Sequence, residues 1–217
     1  MIFDWQFAWS ILPKLARAAE VTFLITLVSF FAALAGGLVL FGLRMTGRPA
    51  LVRPLTWIID FIRGTPLLVQ VFFIYYVAPN YGLRLGPIET GILAMGLHYS
   101  CYMSEIYRTA FQAVGKGQWE AARALGLTPL RTFQKVIWPQ MWPVVVPIAG
   151  TYLVYMFKDT PILAAITVRE LMQVAAQIGA DNFRYMEPVT IVGALFLAMS
   201  VVAAYLTRIL ERKVAVR

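Results

Sequence analysis

Long apolar runs separated by short polar connections constrain this chain more than any other feature. Five candidate spans can be read along it. They run from about Ala18 to Leu43, with Gly36-Gly37 inside; from about Leu55 to Ala78, interrupted by Asp60, Arg63 and Pro66; and from about Ile88 to Phe111, with Glu105 and Arg108 near its end. The fourth runs from about Met141 to Phe157, with Pro143 and Pro147, and the fifth from about Pro188 to Leu210. Each is near the roughly 20 residues that carry a helix across about 30 Å of hydrocarbon. The expected fold is an all-α integral membrane protein with five transmembrane helices. Charged residues make up 14% of the chain, against roughly 25% in a soluble domain.

Ahead of the first run, residues 1–17 carry Phe3, Phe7, Ile11 and Leu15 at helical spacing, with Trp5 and Trp9 suited to a headgroup interface. They read as an N-terminal interfacial amphipathic helix. Residues 18–217 then form one membrane domain. Met1 to Trp9 holds Asp4 and no lysine or arginine, so no cleavable signal peptide is expected. Cys101 is the single cysteine and His98 the single histidine. That set builds neither an intrachain disulfide nor a zinc site, so no metal is expected.

The net charge of +8 raises nucleic-acid binding, but the basic residues lie between apolar runs, where topology and anionic lipid account for them. One set of connections holds Arg44, Arg48, Arg53, Arg108, Lys116, Arg123, Arg131, Lys135, Arg208, Arg212, Lys213 and Arg217. The other holds Lys14, Arg17, Arg84, Lys158, Arg169 and Arg184, with most of the acids. The first side is therefore expected to be cytoplasmic. Five spans then place the N-terminus outside and the C-terminus inside.

The connection of residues 113–140 is too long and too structured for a simple link. Gln118 to Leu125 is a strong helix former, with Glu120 in its first turn and Gly126 as a left-handed stop. Thr128-Pro129 reads as the cap and first residue of a second helix, which Pro139 is expected to end near Trp138. The spacing of Glu120, Ala121, Ala122, Gly126 and Pro139 resembles the EAA loop of ABC importer permeases, a coupling-helix pair that docks on the ATP-hydrolysing subunit. Val136 and Trp138 stand where that family more often has isoleucine and leucine. The run Phe61 to Gln70, the run Ser104 to Arg108 and Lys158-Asp159-Thr160 are similar to polar amino acid permeases. Pro161 resembles the ectoine-type members.

That resemblance implies a MetI-like permease fold, a permease subunit of an ATP-driven importer, and a bacterial inner-membrane location. It implies cytoplasmic ATPase subunits, a second permease chain (sibling or copy) and an external substrate-binding protein as partners. The chain lacks a Gly-x-x-x-x-Gly-Lys-Ser/Thr loop. It is therefore expected to bind no cofactor and to be no enzyme, with ATP and Mg on the partner ATPase. A proton-coupled carrier or a membrane-embedded enzyme is the alternative.

Ionisable groups at membrane depth point to function. Asp60 and Arg63 share a helix face, as do Glu105 and Arg108. These carboxylates and Arg108 are read as a structural or gate pair. Arg63, Thr65 and Pro66, at a helix break, and Lys158 with Asp159, which are too close in sequence to face each other, are the substrate-pathway candidates. A zwitterion needs one charge of each sign. His98 reads as a packed, hydrogen-bonded residue, and Tyr75-Tyr76 as an interfacial belt.

Overall fold

The computed structural model describes residues 3–215 and is helical nearly throughout. Met1 and Arg217 lie outside the described residues. Helix α1 (Trp5–Met45) is a single helix of 41 residues. Residue 17 is therefore not an element boundary: the N-terminal segment continues into the first span. Its start is set by Asp4, whose carboxylate accepts from the Gln6 and Phe7 amides at 2.9 and 3.0 Å. Trp5 and Trp9 remain exposed. Ile11 and Leu15, on the opposite face, pack with Leu171, Ala175, Ile178 and Val192. This burial joins the first turns of α1 to the last two helices of the chain.

Helices α2 (Pro49–Gly64) and α3 (Leu67–Phe72) replace the expected second span. A π-turn over Phe73–Val77 and a 3₁₀ turn over Ala78–Tyr81 extend α3. The two arms, Pro49–Gly64 and Leu67–Tyr81, meet at 105°. Pro66 supplies no amide hydrogen, and Thr65 before it is extended (φ −101, ψ 141). Gln70 closes the gap. Its side-chain amide donates to the Ile62 carbonyl at 2.7 Å, the Thr65 carbonyl at 3.1 Å and the Thr65 hydroxyl at 2.8 Å. Gln70→Leu keeps the bulk and removes the donors. It should cost about 1–3 kcal/mol, read as a lower melting temperature in detergent; an unchanged melt would show that Gln70 does not hold the bend.

Helix α4 (Pro87–Ala113) is central. It packs along α1 and also meets α2, α3 and the later helices. Gly36 and Gly37 allow the α1 approach: a methyl added at Gly37 would overlap the Met103 side chain. After α5 (Lys116–Ala124) the chain enters α6 (Pro129–Thr132), a π-turn (Phe133–Ile137) and α7 (Trp138–Asp159). These form one continuous helical stretch, Pro129–Ile166. The expected stop near Trp138 does not occur. Pro139 lies in the first turn of α7, directly after the π-turn, whose wider winding takes up the missing amide.

At Thr160 the helix tightens to a 3₁₀ segment, Thr160–Ile166. Helices α8 (Leu171–Asn182) and α9 (Met186–Ala215) complete the chain. Glu170 is fully buried and caps α8, accepting from the Met172 and Gln173 amides at 2.9 and 2.7 Å. Burial pushes its carboxyl above the usual range, and those two amides oppose the push.

Three helical stretches, Trp5–Met45, Pro129–Ile166 and Met186–Val214, are long and apolar enough to cross a membrane, and the bent pair makes four if it counts as one span. Helix α4 has the length, at 27 residues, but is more polar. Its Thr90, His98, Ser100 and Ser104 are buried among other helices, so they need not match lipid.

Candidate functional site

At one end of the bundle, α5 stands clear of the main packing. Trp119 anchors it on α4, edge-on to Phe111 with ring centres 5.6 Å apart. Ala122 is buried on the same side. Gln118 accepts from the Gln140 amide at 3.2 Å, tying α5 to α7. Glu120, Ala121 and Arg123 face outward, and Leu125 is 79% exposed. Gly126 has φ +71, and the Leu127 amide donates back to the Ala122 carbonyl at 3.0 Å, so the helix ends in a tight left-handed turn. Thr128 then caps α6, accepting from the Arg131 amide at 3.4 Å. Pro139 is exposed beyond it. The result is a short helix that presents Glu120, Arg123 and two alanines outward, braced on two long ones.

The charged groups gather along α4. Glu105 joins Arg44 from α1 and Arg108 from its own helix, the latter at 2.6 and 2.9 Å. Arg63 approaches Glu105 at 3.9 Å and Asp60 at 3.8 Å, both at the outer limit of an ion pair. Asp60 is largely exposed, so the i, i+3 partners only loosely neutralise each other. In the sequence Arg44 carries only a topological signal; its place as the third member comes from the α1–α4 contact.

One turn along α4 from Glu105, the Arg63 guanidinium lies over the Tyr102 ring at 5.2 Å. The Tyr102 hydroxyl donates to the Arg63 carbonyl at 3.2 Å. Arg63 Nε is buried without a hydrogen-bond partner among the described residues. Tyr99 follows, its ring 6.1 Å from Tyr102, and its hydroxyl donates to Asp159. Tyr152 completes the patch at 6.0 Å from Tyr99 and 5.5 Å from Tyr102. His98 is buried, with Nδ1 3.2 Å from Gln70 Oε1, as a packed histidine should be. Lys158 is exposed, whereas Asp159 turns inward. Arg63 and Asp159 thus sit at opposite ends of a tyrosine patch, with Thr65 and Pro66 at the helix break beside Arg63. The tyrosines gave no spacing signal. Gln70 lay at the end of the Phe61 to Gln70 run, which marked the segment but not the residue.

These features define a helical membrane protein that presents a braced, outward-facing helix at one end and a charged, aromatic interior beside it. The chain belongs to the family described as binding-protein-dependent transport system inner membrane component, which it matches over residues 38–216. It is 43% identical over 205 residues to a probable amino-acid ABC transporter permease protein, y4tG, of Sinorhizobium fredii, across 94% of this chain and 89% of that one. It is 34% identical over 227 residues to the Escherichia coli glutamine transport system permease protein GlnP, with 100% of each chain covered. A crystal structure of an amino acid ABC transporter with histidines superposes with a TM-score of 0.91 and 30% identity, over 98% of this chain and 100% of that one. An inward-facing MetNI methionine ABC transporter superposes with a TM-score of 0.75 and 20% identity, over 98% and 99% of the two chains, which speaks to the fold. The fold is thus the MetI-like permease fold that the motifs implied.

Proposed function

We propose that this chain is the permease subunit of an ATP-driven importer for polar amino acids or related zwitterions such as ectoine. Glu120, Ala121, Gly126 and Pro139 form the docking face for a cytoplasmic ATPase subunit, which holds the ATP and Mg; Ala122, expected on that face from its spacing, is buried on the Trp119 side and seats the helix instead. A second permease chain completes the membrane pore, and an external binding protein delivers substrate. The N-terminus is outside and the C-terminus cytoplasmic. Arg63 meets the substrate carboxylate and Asp159 its cation, with Thr65, Pro66 and Lys158 bordering the path. Glu105, bound to Arg108 and facing Asp60 across Arg63, acts as a gate.

The observation that carries this reading is that α4 holds both parts. Its last turns brace α5 through Phe111 and Trp119. Its middle turns carry Glu105, Tyr102 and Tyr99. Nucleotide-driven movement of α5 would therefore move the gate and the tyrosine patch together. The unpaired Arg63 Nε supports a carboxylate ligand, because a buried donor left without a partner is costly.

Glu120→Lys should leave membrane insertion intact and lower ATP-driven uptake in proteoliposomes by about tenfold or more, since a reversed charge at a docking face meets like charge. Normal ATP-driven uptake by the variant would remove Glu120 from the docking face.

A further inference from the structure

At the opposite end from α5, the first turns of α1 and the face of α8 enclose an open cleft of about 490 Å³. That lies within the roughly 300–1,000 Å³ range of ligand pockets. Lys14, Arg17 and Arg169 line it together with one acid, Asp181, so the cleft carries an excess of two positive charges. Among the described residues none of these three cations forms an ion pair. By contrast Arg184, nearby in sequence, is held by Asp4 at 3.0 Å and by Glu187 at 2.6 Å. The other wall is apolar and includes Val21 and Ile178.

The position of the cleft is informative. Trp9, 68% exposed, suits a headgroup belt. Lys14 lies about 7 Å further along the helix at 1.5 Å per residue. From Val21 to Leu43 the helix has no ionisable side chain. The cleft therefore straddles the level at which polar headgroup gives way to acyl chain. A free small anion would satisfy the cations but leave the apolar wall unused.

We infer that this cleft is a binding site for an anionic glycerophospholipid. Arg17 and Arg169 hold the phosphodiester, Lys14 adds charge, and Asp181 accepts from headgroup hydroxyls. The acyl chains run along Val21 toward the hydrocarbon. Lysine and arginine on this side of the bundle run against the usual topological bias; a lipid partner gives them a role.

The test is native mass spectrometry of the purified transporter containing the full chain, titrated with dioctanoyl phosphatidylglycerol. Wild type should retain this lipid in preference to dioctanoyl phosphatidylcholine. The double variant Arg17→Gln/Arg169→Gln should bind it about tenfold or more weakly, while Arg84→Gln, an exposed charge change elsewhere, should match wild type. If the double variant fails to insert, Arg169→Gln alone should show a loss of about fivefold. Three results would overturn the proposal: equal phosphatidylglycerol binding by the variants and wild type, displacement of the lipid by an equal concentration of inorganic phosphate, or unchanged lipid binding together with lost binding-protein docking. The last would assign the cleft to an acidic protein surface.

Discussion

Asp159→Asn should lower ATP-driven uptake of a cationic or zwitterionic substrate by about tenfold to a hundredfold, the value of a hydrogen bond to a charged group at about 1.5–3 kcal/mol. The substitution is conservative in shape. Asparagine still offers an oxygen to the Tyr99 hydroxyl, which donates to Asp159 in the native chain. What it removes is the negative charge at the end of the Tyr99–Tyr102–Tyr152 patch. Lys158 cannot substitute for it, being opposite in sign and exposed. Uptake is measured in proteoliposomes with saturating loaded binding protein, alongside the melting temperature of the variant. A normal melt with reduced uptake supports substrate contact. Unchanged uptake would remove Asp159 from the pathway, and reduced uptake with a depressed melt would make its bond to Tyr99 a packing device.

Gly37→Val should abolish correct assembly of the bundle. A Cβ at Gly37 would overlap the Met103 side chain and lie 3.1 Å from the Met103 carbonyl carbon and the Ser104 nitrogen. Those last two atoms are helix backbone and cannot swing aside, so α1 and α4 must separate. Close approach through small residues is what drives helix pairing where water does not. The loss should be about 3 kcal/mol or more, at the upper end of overpacking costs. It would be read as aggregation on size exclusion and faster proteolysis. Gly42, on the same helix, has open space around it, and Gly42→Ala should behave as wild type. A Gly37→Val protein that elutes and melts like wild type would show that the contact is not tight.

The parts of this molecule that were legible in the sequence are those governed by local rules. The apolar runs marked the long helices, because an eighteen-to-twenty-residue apolar stretch has few alternatives in lipid. Gly126 and Thr128-Pro129 marked a helix stop and start, because each acts through its own backbone. The Glu105–Arg108 pair follows from helical spacing alone, and the structure has it. Proline was the least readable residue. Pro66 breaks a span at 105°, whereas Pro139 is absorbed after a π-turn without ending its helix. Both sites have a glutamine amide on a nearby carbonyl, Gln70 on Ile62 and Gln140 on Val136, so the difference lies in the neighbouring turn: extended at Thr65, a π-turn before Pro139. Long-range partners had no local signature. Arg44 meets Glu105, Tyr99 meets Asp159 and Arg184 meets Asp4 across separations of 61, 60 and 180 residues. The candidate site depends on such pairs, so Arg63, Asp159 and the Thr65-Pro66 break could be picked out in advance, whereas Arg44, Tyr99, Tyr102 and Tyr152 could not.

Helix α1 has a mechanical consequence. Its 41 residues span about 60 Å, roughly twice the hydrocarbon thickness. One end is pinned by Asp4, which binds Arg184 through its side chain and donates its amide to the buried Glu187 at 3.0 Å. The hydrogen bond from the Phe7 amide and the Arg184 guanidinium hold the Asp4 carboxyl below its usual range. The far end is pinned where Arg44 grips Glu105. One continuous helix, packed along α4 and close to it at Gly37, therefore ties the Glu105 cluster at one end of the bundle to the contacts with α8 and α9 at the other.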